Sequence, residues 1–360
     1  RVARLICDVY NADRTPFAGC PRLCLRRVLE RFHAQDLFPV CGPELEFFLF
    51  LRDAAGNPTV STHDSGGYFD LLPVDRGEEA RREIVNCLEA MGFEIEAAHH
   101  EVAPGQHEID FRYAGALETA DRVTTFRMIV KKIALDFGLH ATFMPKPLAG
   151  VNGSGMHTHQ SVLRGRAEEA VNVFFDESAP DQLSDLARHY IGGLLRHAPG
   201  FVAITNPLIN SYKRLVPGYE APINVAWSEH NRSPLVRVPA RRGMGTRVEV
   251  RVPDPSCNPY LAFAVMLRAG LDGIENRLDP GQPVNLNIFD LTQQEMADRH
   301  ITQLPGSLYL ALCALDQDPL MQEVLGEHIY GQYRRAKLAV WREYSAQVHA
   351  WELDRYLGSY

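Results

Sequence analysis

The sequence has no stretch approaching the roughly 20 consecutive apolar residues that span a bilayer. Its first ten residues also lack the apolar core of a secretory signal. A membrane protein is excluded on this reading, and a cytoplasmic one is expected. Basic excess is missing as well: 37 Lys and Arg stand against 45 Asp and Glu, for a formal charge of −8. Broad phosphate-backbone binding needs a basic face, so nucleic acid is not an expected partner. Cysteines number seven, an odd count, and are scattered without a CxxC pair or zinc-ligand spacing, which reads as reduced thiols. There is no internal repeat and no low-complexity tract. A starting Met is also lacking, and Leu5, Cys7 and Val9 alternate as in a strand, so a preceding segment is expected.

What is present is a chain of 360 residues with 46% apolar content, enough for one large core. Short alternating runs interleave with longer helical patterns, the signature of an α+β fold. Residues 119–137 carry Val123, Phe126, Val130, Ile133 and Phe137 at helical spacing, with Gly138 as C-cap. Residues 183–197 show a similar pattern, and residues 259–274 are apolar nearly all round, as in a helix buried on most sides. The polar stretches 52–67, 164–182 and 280–303 read as surface loops. The aromatic and charged segment 326–360 reads as helices packed on the body or on a neighbouring subunit.

Side chains two apart on a strand share a face. In residues 43–50 this puts Glu44 and Glu46 on one face and Leu45, Phe47 and Leu49 on the other. In residues 247–252 it groups Arg247, Glu249 and Arg251, an acid between two arginines, with valines behind. After the glycine-rich residues 150–155, His157, His159 and Ser161 share a face. Glu101 closes one alternating run and Glu108 opens the next, with Pro104-Gly105 as the turn between. Taken singly, each pair fits a solvated strand face. Together they put several carboxylates beside strongly apolar residues, where each uncompensated charge costs several kcal/mol. Carboxylates with a single imidazole suit Mg²⁺ or Mn²⁺ rather than zinc. Such ions leave positions open for substrate phosphates. Arg214, Arg232 and Arg237, set among Gly and Pro breakers, offer planar forks for carboxylate or phosphate, and arginines facing metal ions suggest phosphoryl transfer.

The runs 42–48, 99–108, 146–157, 206–222 and 247–260 resemble, in order, the motifs of class I glutamine synthetases. Residues 304–308 and 348–352 resemble the bacterial alpha subgroup. The resemblance covers residue 8 to the end and implies a single catalytic domain over residues 1–360, with a curved antiparallel sheet flanked by helices. It implies that Glu46, Glu101 and Glu108 hold one metal and that Glu44, His157 and Glu249 hold another, with two or three Mg²⁺ or Mn²⁺ ions per site. Glutamate is assigned to Asn152, Gly153, Arg214 and Arg251, and the ATP phosphates to Arg232, Arg237 and Arg247. Glu96, Tyr113, His159 and Ser161 are assigned to the nucleoside. Glu220 is implied as a flap acid that helps deprotonate ammonium, with Tyr68 near the same pocket.

The implied reaction joins glutamate to ammonium with ATP as co-substrate, in a dodecamer of two hexameric rings. The family's N-terminal β-grasp domain, which lends an aspartate to a neighbour's ammonium site, has no counterpart before Arg1. Phe289 stands where regulated relatives carry an adenylylated tyrosine. Two rivals stay open: a ligase for a polyamine or other amine, and a non-catalytic assembly protein on the same fold.

Overall fold

The computed structural model describes residues 3–165, 169–219, 221–231, 233–286, 288, 291–299 and 301–360. In chain order the elements are α1 (Pro21–His33), β1 (Leu37–Arg52), β2 (Pro58–Thr62), α2 (Glu78–Ala90), β3 (Ile95–His100), β4 (Gln106–Phe111), β5 (Ala114–Gly115), α3 (Ala116–Asp136), β6 (Leu139–Thr142), β7 (Met156–Arg164) and β8 (Val171–Asn172). They continue with α4 (Asp185–Thr205), α5 (Ser211–Arg214), β9 (Asn224–Ser228), β10 (Pro234–Arg237), β11 (Val248–Val250), α6 (Pro259–Asn276), α7 (Gln293–Asp298), β12 (Thr302–Gln303), α8 (Leu308–Asp316), α9 (Pro319–Ser345) and α10 (Ala350–Tyr356).

One sheet runs β12-β9-β10-β11-β7-β1-β4-β3, with β2, β5 and β6 also pairing β1 and β8 pairing β7. Among the described residues every pair is antiparallel except β9 with β10, which run parallel. The sheet is otherwise antiparallel, as expected. Helices cover the apolar face. The long β1 is the spine: Leu45, Phe47 and Leu49 are fully buried toward the helical layer with Phe126 of α3 and Met156 of β7. Asn258 caps α6 by accepting from the Tyr260 and Leu261 amides. That helix is buried along nearly its whole length, as its uniformly apolar sequence requires.

The loop expectations need correction. Residues 52–67 contain β2, residues 164–182 contain β8, and residues 280–303 contain α7 and β12. A capping box formed by Thr292 and Glu295 starts α7. The helix expected to end at His197 continues as α4 through Pro199 to Thr205, because Phe201, Val202, Ala203 and Ile204 are all buried. Tertiary burial outweighs the cost of an interior proline.

Candidate active site

Register builds the site. Residues directly opposite in an antiparallel pair share a face. Glu44 pairs with Asp110 on one side and His157 on the other, and Glu46 pairs with Glu108. Glu249 pairs with His159 and with Arg237, and His99 pairs with Glu108. Six strands therefore turn one polar face outward while their apolar residues fill the core behind.

Two ligand groups form on that face. Glu44, His157 and Glu249 each bring one ligand atom within 4.8 Å of the others, and His99, Glu101 and Glu108 do the same. His99 was not foreseen, although it continues the Ala97-His99-Glu101 alternation. Its Nδ1 lies 3.1 Å from the His100 carbonyl and its Nε2 3.2 Å from Glu108 Oε1. With the proton on Nδ1 donated to that carbonyl, Nε2 turns a lone pair into the cluster, the arrangement common in metal-binding histidines. Phe69 stacks on the ring at 4.4 Å and Tyr68 meets it edge-on. Glu46 stands beside this cluster, and its Oε2 accepts from Gln106 Nε2 at 2.7 Å. The same Gln106 nitrogen also donates to the Gly153 carbonyl at 3.2 Å, so a residue missed in the sequence ties Glu46 to the loop of Asn152 and Gly153.

These groups line a cavity of about 530 Å³, together with Asn152, Gly153, Arg214 and Arg251. A second cavity of about 530 Å³ is lined by Glu96, Tyr113, His159, Ser161 and Arg247. Glu44 and Asp110 border both. Glu96 is the extra residue of a bulge between Ile95 and Ala97 in the β3–β4 pairing. Ser161 donates to Asn172 Oδ1 and the Thr246 carbonyl, so its hydroxyl is engaged within the wall.

The arginines are placed differently from the sequence reading. Glu249 lies between Arg251, whose Nη1 donates to Oε1 at 2.5 Å, and Arg237, whose Nε donates to Oε2. Arg247 instead donates through Nε to His159 Nδ1 at 3.1 Å. That leaves the His159 proton on Nε2, which donates to Glu44 Oε1 at 2.7 Å. Arg237, assigned to phosphate, borders the first cavity and not the second. Arg214 is held by the Val252 and Arg251 carbonyls. Glu220, Arg232 and Phe289 lie outside the described residues.

The electrostatics show an excess of negative charge. Burial, and then the Glu101 carboxylate, push Glu46 up to about 8 against the partial relief of Arg214. Burial and neighbouring carboxylates hold Glu108 and Asp110 well above the usual range, and Asp110 Oδ1 is buried without a hydrogen-bond partner among the described residues. Burial would also raise Glu44, but hydrogen bonds from His157 and His159 carry it well below. At Glu249 burial is outweighed by Arg251. Burial and the Arg251 charge push His157 down to about 4, keeping the ring neutral. Carboxylates that must otherwise hold protons, with the neutral His157 imidazole among them, fit divalent cations of the Mg²⁺ or Mn²⁺ type.

A pH dependence follows. The Glu46 carboxyl moves from an ordinary 4.5 to about 8 on folding, so the cation-free folded protein binds more protons than the unfolded chain across that window. Its stability therefore falls as pH rises from 4.5 through about 8. A cation takes the place of the protons, so Mn²⁺ binding should release protons and tighten between about pH 6 and pH 8.5. Calorimetry in buffers of different ionisation enthalpy measures this; pH-independent affinity without proton release would contradict the charge assignment.

Acidic metal-type clusters flanked by arginines, with a second chamber bordered by the same Glu44 and Asp110, fit a site for divalent cations and a phosphorylated co-substrate. The family profile described as glutamine synthetase, catalytic domain, matches residues 18–356. The glutamine synthetase of Thermus thermophilus is 60% identical, over 100% of this chain and 80% of that protein. That of Methanosarcina mazei is 55% identical over 99% and 79%. A solved structure described as a GmaS/ADP complex superposes with a TM-score of 0.87 at 35% identity, over 98% of this chain and 80% of that one. The chain belongs to the glutamine synthetase family. Its activity is that of a glutamate–ammonia ligase, and the family works with glutamate, ATP, ammonium and divalent metal ions. Among the described residues no helix is long and apolar enough to cross a membrane.

Proposed function

We propose that the glutamate side-chain carboxylate attacks the ATP γ-phosphoryl at the junction of the two cavities, giving γ-glutamyl phosphate, and that ammonia then displaces phosphate to give glutamine. The observation that carries this reading is the border of Glu44 and Asp110 shared by an arginine-lined acidic chamber and a second chamber. Glu44, His157 and Glu249 would hold one Mg²⁺ or Mn²⁺ ion, and Glu46, Glu101 and Glu108, with His99 beside them, another; a third ion per site remains within the reading. When bound, these ions offset charge on the phosphoryl oxygens.

The chain's own residues supply the rest. Arg214, Arg251, Asn152 and Gly153 orient glutamate in the first chamber, with Tyr68 at its edge. Arg247 meets the ATP phosphates from the second chamber and Arg237 from the first, and Arg232 completes the set. Glu96, Tyr113, His159 and Ser161 lie around the nucleoside. Glu220 closes over the acyl phosphate, which water would hydrolyse, and takes a proton from ammonium. Motif order supports class I, alpha type. A dodecamer of two hexameric rings is supported by the apolar surface of the C-terminal helices, where Trp351 and Leu357 are exposed. A cytoplasmic site of action goes with ATP and glutamate as substrates.

The test is to measure ADP, phosphate and glutamine together, with ammonium or methylamine as acceptor. One glutamine per ADP, dependent on Mg²⁺ and with ammonium preferred, is expected. A higher kcat/KM with methylamine would replace the ammonia assignment by an amine ligase, and absence of any turnover would favour an assembly role.

A further inference from the structure

A buried polar cluster lies behind the hairpin that carries Glu101 and Glu108. His63, Asp64, Asp75 and His107 bring ligand-type atoms within 4.8 Å of one another. A further cation is the first reading to consider, and Arg81 argues against it. Its Nη1 lies 2.9 Å from His107 Nδ1 and its Nη2 2.7 Å from Asp75 Oδ2. A guanidinium only donates, so Nδ1 accepts and the neutral His107 ring carries its proton on Nε2. The lone pair a metal would need there is gone, and Arg81 already supplies positive charge beside Asp75.

Asp64 has different partners. Its side chain is fully buried. Oδ1 accepts from the Gly105 amide at 2.8 Å and faces His100 Nε2 at 3.2 Å, while Oδ2 faces His63 Nε2 at 2.9 Å. His100 extends the link, because its Nδ1 donates to the Glu101 carbonyl at 2.7 Å. His63 does the same toward β1, donating from Nδ1 to the Leu49 carbonyl at 2.9 Å. On its other side the turn is bound to β1 by the Leu49 amide, which donates to the Gly105 carbonyl at 2.8 Å. Gly105 has φ +69°, and a Cβ there would lie 2.9 Å from the Leu49 carbonyl oxygen. The turn thus sits in close contact with β1, clamped between that strand and one carboxylate. Gln106, next in sequence, reaches Glu46 from it.

We infer that Asp64 is a positioning residue for the cation ligands: through Gly105 and through His100 it holds both sides of the Pro104-Gly105 turn, and so sets where Glu101 and Glu108 meet and where Gln106 touches Glu46. The physical need is plain. Glu46, Glu101 and Glu108 repel one another, and a hairpin carrying two of them would open unless its turn were anchored. The inference rests on the reading that Glu101 and Glu108 hold a cation.

The experiment is a titration of the full chain with Mn²⁺, free ion being read by its electron paramagnetic resonance signal and folding by circular dichroism. Asp64→Asn keeps an acceptor for Gly105 but loses the charge facing His100 and His63. It should weaken Mn²⁺ binding about 10- to 100-fold, the usual effect of removing a group that orients a metal ligand. It should leave kcat at saturating Mn²⁺ within about threefold, a split that a general loss of structure would not produce. Asp75→Asn, in the same cluster but tied to Arg81, should lower thermal stability and leave Mn²⁺ affinity within about twofold. Should Asp64→Asn not fold, His100→Gln breaks the same link and should also weaken Mn²⁺ binding. Unchanged affinity in the folded variant that is measured, or an equal loss in Asp75→Asn, overturns the inference. Failure of Glu101→Gln to weaken Mn²⁺ binding would overturn the underlying metal reading instead, which separates the two.

Discussion

Glu249→Ala is expected to lower glutamine formation at saturating Mg²⁺ by about 10³-fold or more, the rate equivalent of the several kcal/mol that a bound cation contributes to phosphoryl transfer. Glu249 is fully buried and offers one oxygen to the Glu44–His157 group. It also pairs Arg237 and Arg251, so its removal takes from both guanidinium groups the carboxylate they meet among the described residues. Part of the loss would therefore be structural, since breaking a buried pair costs about 3–5 kcal/mol. Glu249→Gln separates the two effects, because it keeps the shape and one acceptor while removing the charge. Both variants should release phosphate from ATP at strongly reduced rates, and the Glu249→Gln variant, which keeps one acceptor, should lose less melting temperature than Glu249→Ala. Near-normal turnover by either at saturating Mg²⁺ would refute the role.

Gly155→Ala should have a large, though smaller, effect for a steric reason. A Cβ at this position would lie 2.7 Å from Arg214 Nη2 and 2.9 Å from both Glu46 Oε1 and His157 Nε2. These three groups belong to the glutamate and both metal assignments, and the Cβ would enter the space among them. Arg214 is 3% exposed and bonded to two carbonyls, so it has little room to retreat. Overpacking of this kind costs about 1–3 kcal/mol of stability. The catalytic loss should be larger, about 100-fold or more, because misplacement of reacting groups by an ångström is enough. KM for glutamate should rise while nucleotide binding, measured separately by calorimetry, changes little. Wild-type kcat/KM for glutamate in this variant would show that the space is not used.

Much of the site was legible because its signal is local. Strand alternation depends only on neighbouring residues, so Glu44 and Glu46 could be set opposite Leu45, Phe47 and Leu49 without knowing what β1 pairs with. The apolar run of α6 likewise announces a buried helix. His99 obeys the same alternation and was recoverable from it. Gln106 was not, since nothing local says that the residue after the turn reaches Glu46 and the Gly153 carbonyl.

The sequence by itself determined the acidic strand faces, the glycine-rich loop and the order of motifs, because residue type and period-two spacing are properties of short segments. Only the tertiary structure decided which arginine serves which acid. Alternation in residues 247–252 groups Arg247 with Glu249, yet the pairing of β10 with β11 brings Arg237 to Glu249, and β7 against β11 sets His159 where Arg247 can reach it. The parallel pairing of β9 with β10, the passage of α4 through Pro199 and the clamp of Asp64 on a turn 41 residues away are of the same kind. Each depends on the register between distant segments, and that register is set by the fit of the whole core rather than by any run of residues.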